Sequence, residues 1–407
     1  MRNFKVPNQN NQLPPSEEII TDRFIDQLEG DLPGPHLVFF GGIHGNEPSG
    51  VFAFKNVIQK IRDKKIPLKG KITGIAGNLW ALQRKERFQK KDLNRLWTRE
   101  NIEALNQGHF VPSNEDEEQF VELHDLILKI IANETGPLYF FDLHTTSSQS
   151  IPFIPVNDSL INRNFANQFP IPLILGIEEY IDGPVLSYIN ELGYVSFGFE
   201  AGQHEDPLSV KNHEIFIQLS LAFAGACSQE DMEVTQHLEF WDRKYGPYEH
   251  FYEINFRFHV DQKIPFQMMP GYESFQAVKK GEKLAIYDNK EIFATKDTMV
   301  FMPLYQSKGE DGFFLIRKTP EIFLKISSFL RKNKLDKIIT WLPGVRWTSE
   351  EKDSMIVDLR VARLLAKPIL HLFGYRFVQR DQTHLIIWNR ERKSKYRDYE
   401  NEAWFKG

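Results

Sequence analysis

The sequence predicts an α/β protein: a mostly parallel, mixed sheet flanked by helices, then a small all-β domain and a C-terminal α+β extension. Three observations predict this. Between His36 and Ala226, apolar strand-like runs alternate with segments of helical period, the pattern of parallel strands joined by crossover helices. After about Gln229 the pattern changes to short strands broken by Pro270-Gly271, Lys280-Gly281, Asp288-Asn289 and Gly309–Gly312, as in a small all-β unit. From Pro320 two or three helical segments follow, and then two short apolar runs, Tyr375–Val378 and His384–Trp388, that read as a strand pair. The corresponding division is 1–35 as an N-terminal lead-in, 36–229 as the α/β domain, 230–318 as the β-rich second domain and 319–407 as the C-terminal extension.

Composition narrows the function classes. A chain of 407 residues has material for two or three domains. A formal net charge of −5 offers no electrostatic case for nucleic acid or an acidic membrane as partner. Cys227 is the single cysteine, which excludes an intrachain disulfide and a cysteine-based metal cage. Met1–Glu18 is polar and carries prolines, without the apolar core of a signal peptide. The most apolar stretch, Ile215–Cys227, is too short to span a bilayer. Cytoplasmic residence is therefore the default expectation, and homo-oligomerisation is left open.

Element by element, Met1–Pro35 reads as a mobile lead-in with one helix over Ile19–Leu28, and His36–Gly41 as the first strand. Ser49–Lys64 places Val51, Phe52, Phe54, Val57, Ile58 and Ile61 at helical spacing. Lys71–Leu79 is a strand, Ala81–Phe88 a short helix and Gln89–Arg95 a polar loop. Glu115–Asn133 is a helix: Phe120, Leu123, Ile127, Ile130 and Ile131 share a face, and its first turn is acidic, as the helix dipole favours. Leu138–His144 and Ile151–Val156 read as strands. Leu173–Ile177, Pro184–Leu192, Val195–Gly202 and Ser209–Ala226 continue as strand, helix, strand and helix. The charged tail Arg390–Gly407 reads as mobile.

The stretch that organises the chain is Leu37–Pro48. An apolar strand ends in Gly41-Gly42 and then presents His44 and Glu47 ahead of a helix. Glycines allow the sharp turn, and Pro48 suits a helix start. The pair thus lies at a strand-to-helix crossover, where open α/β sheets bind ligands. H-x-x-E alone is a weak signal. A second copy, His250–Glu253, lies in a strand-like run that points residues three apart to opposite faces, so it reads as ordinary strand. His144 occupies the end of another apolar strand, Phe140–Thr146. Two His and one Glu make three protein ligands with a fourth position open, the arrangement of a catalytic zinc rather than a closed structural site. Glu200, inside Phe197–Gly202, ends a further apolar strand. A carboxylate there is costly to bury without a task or a partner, and general base is the task that fits. Arg87, Asp92, Asn94 and Arg95 fall in the polar loop. An Arg fork matches a carboxylate, Arg87 suits a developing oxyanion, and Asp92 suits the free ring N–H of a ligating His. The alternative for this loop is solvated surface.

Four motifs, His44-Gly45-Asn46-Glu47, Asp92-Leu93-Asn94-Arg95, Asp142-Leu143-His144-Thr145 and Gly198-Phe199-Glu200-Ala201-Gly202, stand in an order and spacing that resemble the aspartoacylase/succinylglutamate desuccinylase family, a branch of the zinc-carboxypeptidase-like fold. The resemblance runs from Leu37 to Arg317. It implies that 36–229 is a catalytic zinc hydrolase domain cleaving the amide bond of a small-molecule N-acyl amino acid, with one Zn²⁺ per chain. It further implies His44, Glu47 and His144 as metal ligands, Glu200 as the base that activates the zinc-bound water, and Arg87 as the oxyanion arginine. Asn94 with Arg95 would hold the substrate α-carboxylate, and Asp92 would support the first histidine. A zinc carboxypeptidase acting on short or cell-wall peptides is the alternative, because fold and metal chemistry are shared. Two departures bear on specificity. Ile177–Phe199 lacks the Lys or Arg that aspartoacylases use for a second carboxylate, and Gly309–Phe314 lacks their substrate tyrosine. Neutral N-acyl derivatives of neutral or basic amino acids are therefore expected to be preferred over N-acetylaspartate or N-succinylglutamate.

Overall fold

A computed structural model of the protein describes residues 22–335, 339, 341, 343–348, 354–362, 370–379 and 383–405. Eleven strands form one sheet in the order β1-β3-β2-β4-β7-β5-β6-β8-β14-β13-β10. They are β1 (Phe24–Glu29), β2 (Leu32–Gly41), β3 (Lys69–Ala76), β4 (Leu138–Thr146), β5 (Ile154–Val156), β6 (Leu173–Leu175), β7 (Val195–Gln203), β8 (Phe251–His259), β10 (Gln276–Val278), β13 (Thr298–Phe301) and β14 (Asp311–Lys318). The pairs β3–β2, β2–β4, β4–β7, β5–β6 and β6–β8 are parallel, and the remaining neighbours are antiparallel. The sheet is therefore mixed, with β3, β2, β4 and β7 forming its run of long parallel strands.

Strand alternation explains how both faces are covered. In β2 and β4, Leu37, Phe39, Tyr139 and Phe141 pack on one side with α1 (Ser49–Lys64), α5 (Leu160–Ala166) and α7 (Leu208–Phe223). Val38, Phe40, Leu138 and Phe140 pack on the other with α4 (Glu115–Asn133) and α6 (Val185–Glu191). Neighbouring residues of one strand thus belong to two different cores, as a period of two requires. Between these elements run α2 (Leu79–Arg84) and α3 (Arg99–Asn106); α8 (Val234–Tyr245) follows α7. The sequence reading had passed over α3, α5 and α8, which are short or carry few apolar residues.

Three expectations need correcting. The lead-in is not wholly outside the fold: 24–29 is a strand, not the end of a helix over 19–28, and pairs antiparallel with β3. Phe24, Ile25 and Leu28 have helical spacing, yet ladder hydrogen bonds to β3 decide the local structure. Residues 1–21 of that lead-in lie outside the described residues. The β-rich segment 230–318 is not a free-standing sheet. β8, β14, β13 and β10 extend the main sheet, and only β9 (Phe266–Met268), β11 (Lys283–Tyr287) and β12 (Lys290–Phe293) form a separate three-stranded one. Finally, the charged tail is docked. Tyr399 and Trp404 lie in the same core as α1 and α7. The Tyr399 hydroxyl accepts the Val195 N–H at 3.0 Å and donates to the Leu138 carbonyl, and Trp404 Nε1 donates to the Tyr139 hydroxyl at 3.1 Å.

The extension before the tail holds α9 (Glu321–Lys332) and a four-stranded antiparallel sheet in the order β15-β16-β18-β17, from β15 (Val345–Trp347), β16 (Ser354–Asp358), β17 (Tyr375–Gln379) and β18 (His384–Asn389). The expected strand pair is β17–β18. Among the described residues no helix is long and apolar enough to cross a membrane.

Candidate active site

The central parallel strands deliver the candidate residues at their C-terminal ends. β2 stops at Gly41, and the chain turns through Gly42, whose φ of 70° is left-handed. Gly45 then passes against α2: a Cβ there would fall 2.0 Å from the Ala81 carbonyl carbon. Only glycine allows that approach, which sets His44 and Glu47 before α1 begins at Ser49. His144 sits near the end of β4, and Glu200 lies opposite it in register on β7.

His44, Glu47 and His144 converge. One ligand atom from each lies within 4.8 Å of the others, and all three residues are buried. His44 Nδ1 is 3.0 Å from Glu47 Oε1, and His144 Nδ1 is 3.1 Å from Glu47 Oε2. The two imidazole centroids are 5.1 Å apart. The opposite ring atoms are tied to carboxylates: His44 Nε2 to Asp92 at 2.9 Å and His144 Nε2 to Asp142 at 2.5 Å. A carboxylate accepts only, and each imidazole faces one from both ring nitrogens; a neutral ring carries a single N–H, so one nitrogen of each ring is left aiming a lone pair at a carboxylate that has only lone pairs to offer. A cation placed among the three removes that conflict, and the donor set is that of a zinc site with open coordination. The charge balance agrees. Burial alone would push the His144 imidazolium pKa down, but Asp142 and Glu47 hold it well above its ordinary value. The centre therefore attracts positive charge.

The loop from Arg87 to Arg95 is built around this centre. Asp116, in the first turn of α4, accepts the Gln89, Lys90 and Lys91 N–H groups at 3.0, 2.7 and 2.9 Å and the Asn78 side-chain amide at 2.7 Å. Asp92 then caps the short 3₁₀ turn Leu93–Arg95 through the Asn94 N–H at 2.9 Å while holding His44. Arg87 spans Glu47 at 3.1 Å and Asp92 at 3.3 Å, and its Nε is buried without a partner. Glu200 is 7% exposed, and its Oε2 has no hydrogen-bond partner. Burial pushes its carboxyl up to about 8; His144 and Arg87 oppose that shift, and Glu47 and Asp142 reinforce it. Arg87, Asp92, Asn94, Arg95 and Glu200 line one cavity of about 460 Å³, a size suited to a small molecule.

The structure thus brings together all eight predicted residues, His44, Glu47, Arg87, Asp92, Asn94, Arg95, His144 and Glu200, around that cavity. Asn94 and Arg95 are engaged within the protein as well. The Asn94 amide donates to Asp142 at 3.3 Å and accepts the Val185 N–H at 2.9 Å. Arg95 pairs with Asp311 at 2.8 Å. His250 and Glu253 are apart in role: His250 meets Asn167, and Glu253 pairs with Arg317. Sequence reasoning missed Asp142, Asp116 and Asp311. Asp142 was within reach, because it stands two residues before His144 and so shares its face of β4.

Residues 33–226 match the model of the succinylglutamate desuccinylase/aspartoacylase catalytic domain. A succinylglutamate desuccinylase of Pseudomonas paraeruginosa is 27% identical over 112 residues, 28% of this chain and 31% of the relative. One of Pseudomonas putida is 26% identical over 117 residues, 29% of this chain and 32% of the relative. The matched stretch thus spans about a third of these relatives' length. Among solved structures, a succinylglutamate desuccinylase/aspartoacylase from Rhodobacter sphaeroides shares the fold with a TM-score of 0.52 at 16% identity, covering 72% of this chain and 88% of that one. A succinylglutamate desuccinylase from Vibrio cholerae does so with a TM-score of 0.50 at 18% identity, covering 72% and 84%.

Proposed function

We propose that this chain, whose residues 33–226 belong to the succinylglutamate desuccinylase/aspartoacylase family, is a zinc-dependent hydrolase of the amide bond in a small N-acyl amino acid. The observation that carries the reading is the pair of histidine Nδ1 atoms aimed at one glutamate, with each Nε2 anchored to its own carboxylate. His44, Glu47 and His144 would hold the metal. When bound, zinc supplies Lewis acidity toward a carbonyl and makes water more acidic.

The chain's own groups account for the proton traffic. Amide hydrolysis adds hydroxide to the acyl carbon and a proton to the departing nitrogen. Of the carboxylates on the cavity with a buried unpartnered oxygen, Glu200 lies directly across the strand pair from His144 and does not hold either histidine, so it takes the proton from water and returns it to the amine. Arg87 lies beside Glu47, held on both sides, and its free Nε–H is the donor for the oxygen that gains charge. Asn94 and Arg95 face the substrate carboxylate. Asp92 and Asp142 keep the two imidazoles in the tautomer that leaves Nδ1 free.

The test is a panel of N-acyl amino acids and short C-terminal peptides with zinc-loaded and chelator-stripped protein. Turnover of N-acyl amino acids that vanishes on chelation and returns with zinc is expected. Activity confined to peptides would favour the carboxypeptidase alternative. Full activity without metal would refute the proposal.

A further inference from the structure

The preference expected for neutral derivatives depends on whether a cation from the β-rich segment reaches the cavity. Lys308 does not serve; it pairs with Glu86 at 3.1 Å and the Phe88 carbonyl at 2.5 Å. Arg317 is taken by Glu253. The cation that does approach is Arg257 on β8, and it is already engaged. Its Nε donates to Asp311 Oδ1 at 2.5 Å, and its Nη1 to the Tyr180 carbonyl at 2.6 Å. The other Asp311 oxygen accepts from Arg95 Nη2 at 2.8 Å. One carboxylate at the cavity wall therefore sits between two guanidinium groups, one from the catalytic loop and one from the sheet extension. Asp311 thus occupies a donor of each guanidinium in this trio. Glu310, the exposed neighbour of Asp311, also lines the cavity and adds a carboxylate near Arg95.

We propose that Asp311 is a built-in carboxylate that fills the second-anion position of the cavity, so that the site takes N-acyl amino acids bearing one carboxylate and turns away those bearing two. The assignment rests on the amidohydrolase reading above and names the substrate class within it. A substrate's α-carboxylate shares Arg95 with Asp311. A second carboxylate beside them meets Asp311 and Glu310, where both guanidiniums of the trio are already paired, and a charge closed in without a partner is strongly disfavoured. Asp311 is thus specificity-determining without touching the scissile bond.

N-acetyl-L-asparagine and N-acetyl-L-aspartate have nearly the same shape and differ by one charge, so they are the probes. Their binding to the zinc-loaded protein is measured by calorimetry, and their hydrolysis separately. The wild-type protein is expected to bind the asparagine derivative at least about tenfold more tightly. Asp311→Asn keeps the shape but frees the two guanidiniums for a ligand; it should tighten the aspartate derivative by about 10- to 100-fold, the range of one charge-assisted hydrogen bond, and reverse the preference. Arg257→Met leaves Arg95 as the one guanidinium of the trio, held by Asp311, and should weaken both probes by about tenfold. Wild-type preference for the aspartate derivative would overturn the assignment, with or without a folded variant. Loss of both probes in a folded Asp311→Asn protein would also overturn it, since Asp311 would then merely be posing Arg95. The discriminated binding without hydrolysis would strike the amidohydrolase reading and leave the charge assignment standing.

Discussion

Glu200 lies across the strand pair from His144, with one oxygen free of hydrogen bonds and a carboxylate whose affinity for a proton is raised by burial. Glutamine has the same shape and cannot accept the proton. Glu200→Gln should therefore keep zinc at one per chain and lose on the order of 10²–10⁴ in kcat, read by metal analysis alongside steady-state rates. A zinc-replete variant with near-normal turnover would move the base elsewhere. This residue and the three putting their ligand atoms within 4.8 Å were legible in the sequence because each follows an apolar strand, where a polar side chain has few reasons to be. Arg95 was legible as a fork but not in its partner. Asp311 lies 216 residues further along, and no local pattern relates two charges at that distance.

At the scale of elements, the loop from Gln89 to Arg95 has almost no apolar residues of its own, and one side chain on α4 gives it shape. Asp116 gathers three backbone N–H groups and the Asn78 amide. An acidic first turn is what a helix dipole favours, and that explanation concealed the loop contacts: pattern shows that a carboxylate suits the position, not what else it holds. Asp116→Ala should destabilise the fold by roughly 2–4 kcal/mol, since it leaves several buried donors unpaired. It should also weaken zinc binding, because the loop carries Asp92 to His44. Chemical denaturation and a zinc titration measure the two effects. A destabilised variant with wild-type zinc affinity would show that the loop and the metal centre are uncoupled. β1 was misread for a related reason: six residues with helical spacing become a strand only because β3 presents an open edge to them.

Over the whole molecule, the C-terminal extension is latched to the α/β region by buried charge. Asp158 accepts from Arg163 at 2.5 and 2.7 Å and from Arg331 at 2.7 Å, and Arg390 reaches Glu178 at 2.7 Å and Glu179 at 3.0 Å. Burial would raise the Asp158 pKa, but Arg163, Arg331 and Arg390 hold it below the usual carboxylate range. A carboxyl depressed in the folded state stabilises fully above its unfolded pKa of about 4 and loses that contribution as pH falls toward the folded value. The melting temperature should thus fall as pH drops below about 4. Asp158→Asn should be less stable by roughly 3–5 kcal/mol at pH 7, as expected for a broken buried pair, and should show a shallower acid decline; parallel declines in both proteins would exclude the latch as its source. The docked tail has a consequence in time. Val195 and Tyr399 meet across 204 residues, and at a synthesis rate of about 5–20 residues per second the strand waits roughly 10–40 s on the ribosome for the ring that covers its end. The sheet is therefore built early and sealed late. Chains truncated before Tyr396 should stay open to protease at β4 and β7, whereas the chain that carries Tyr399 and Trp404 should resist.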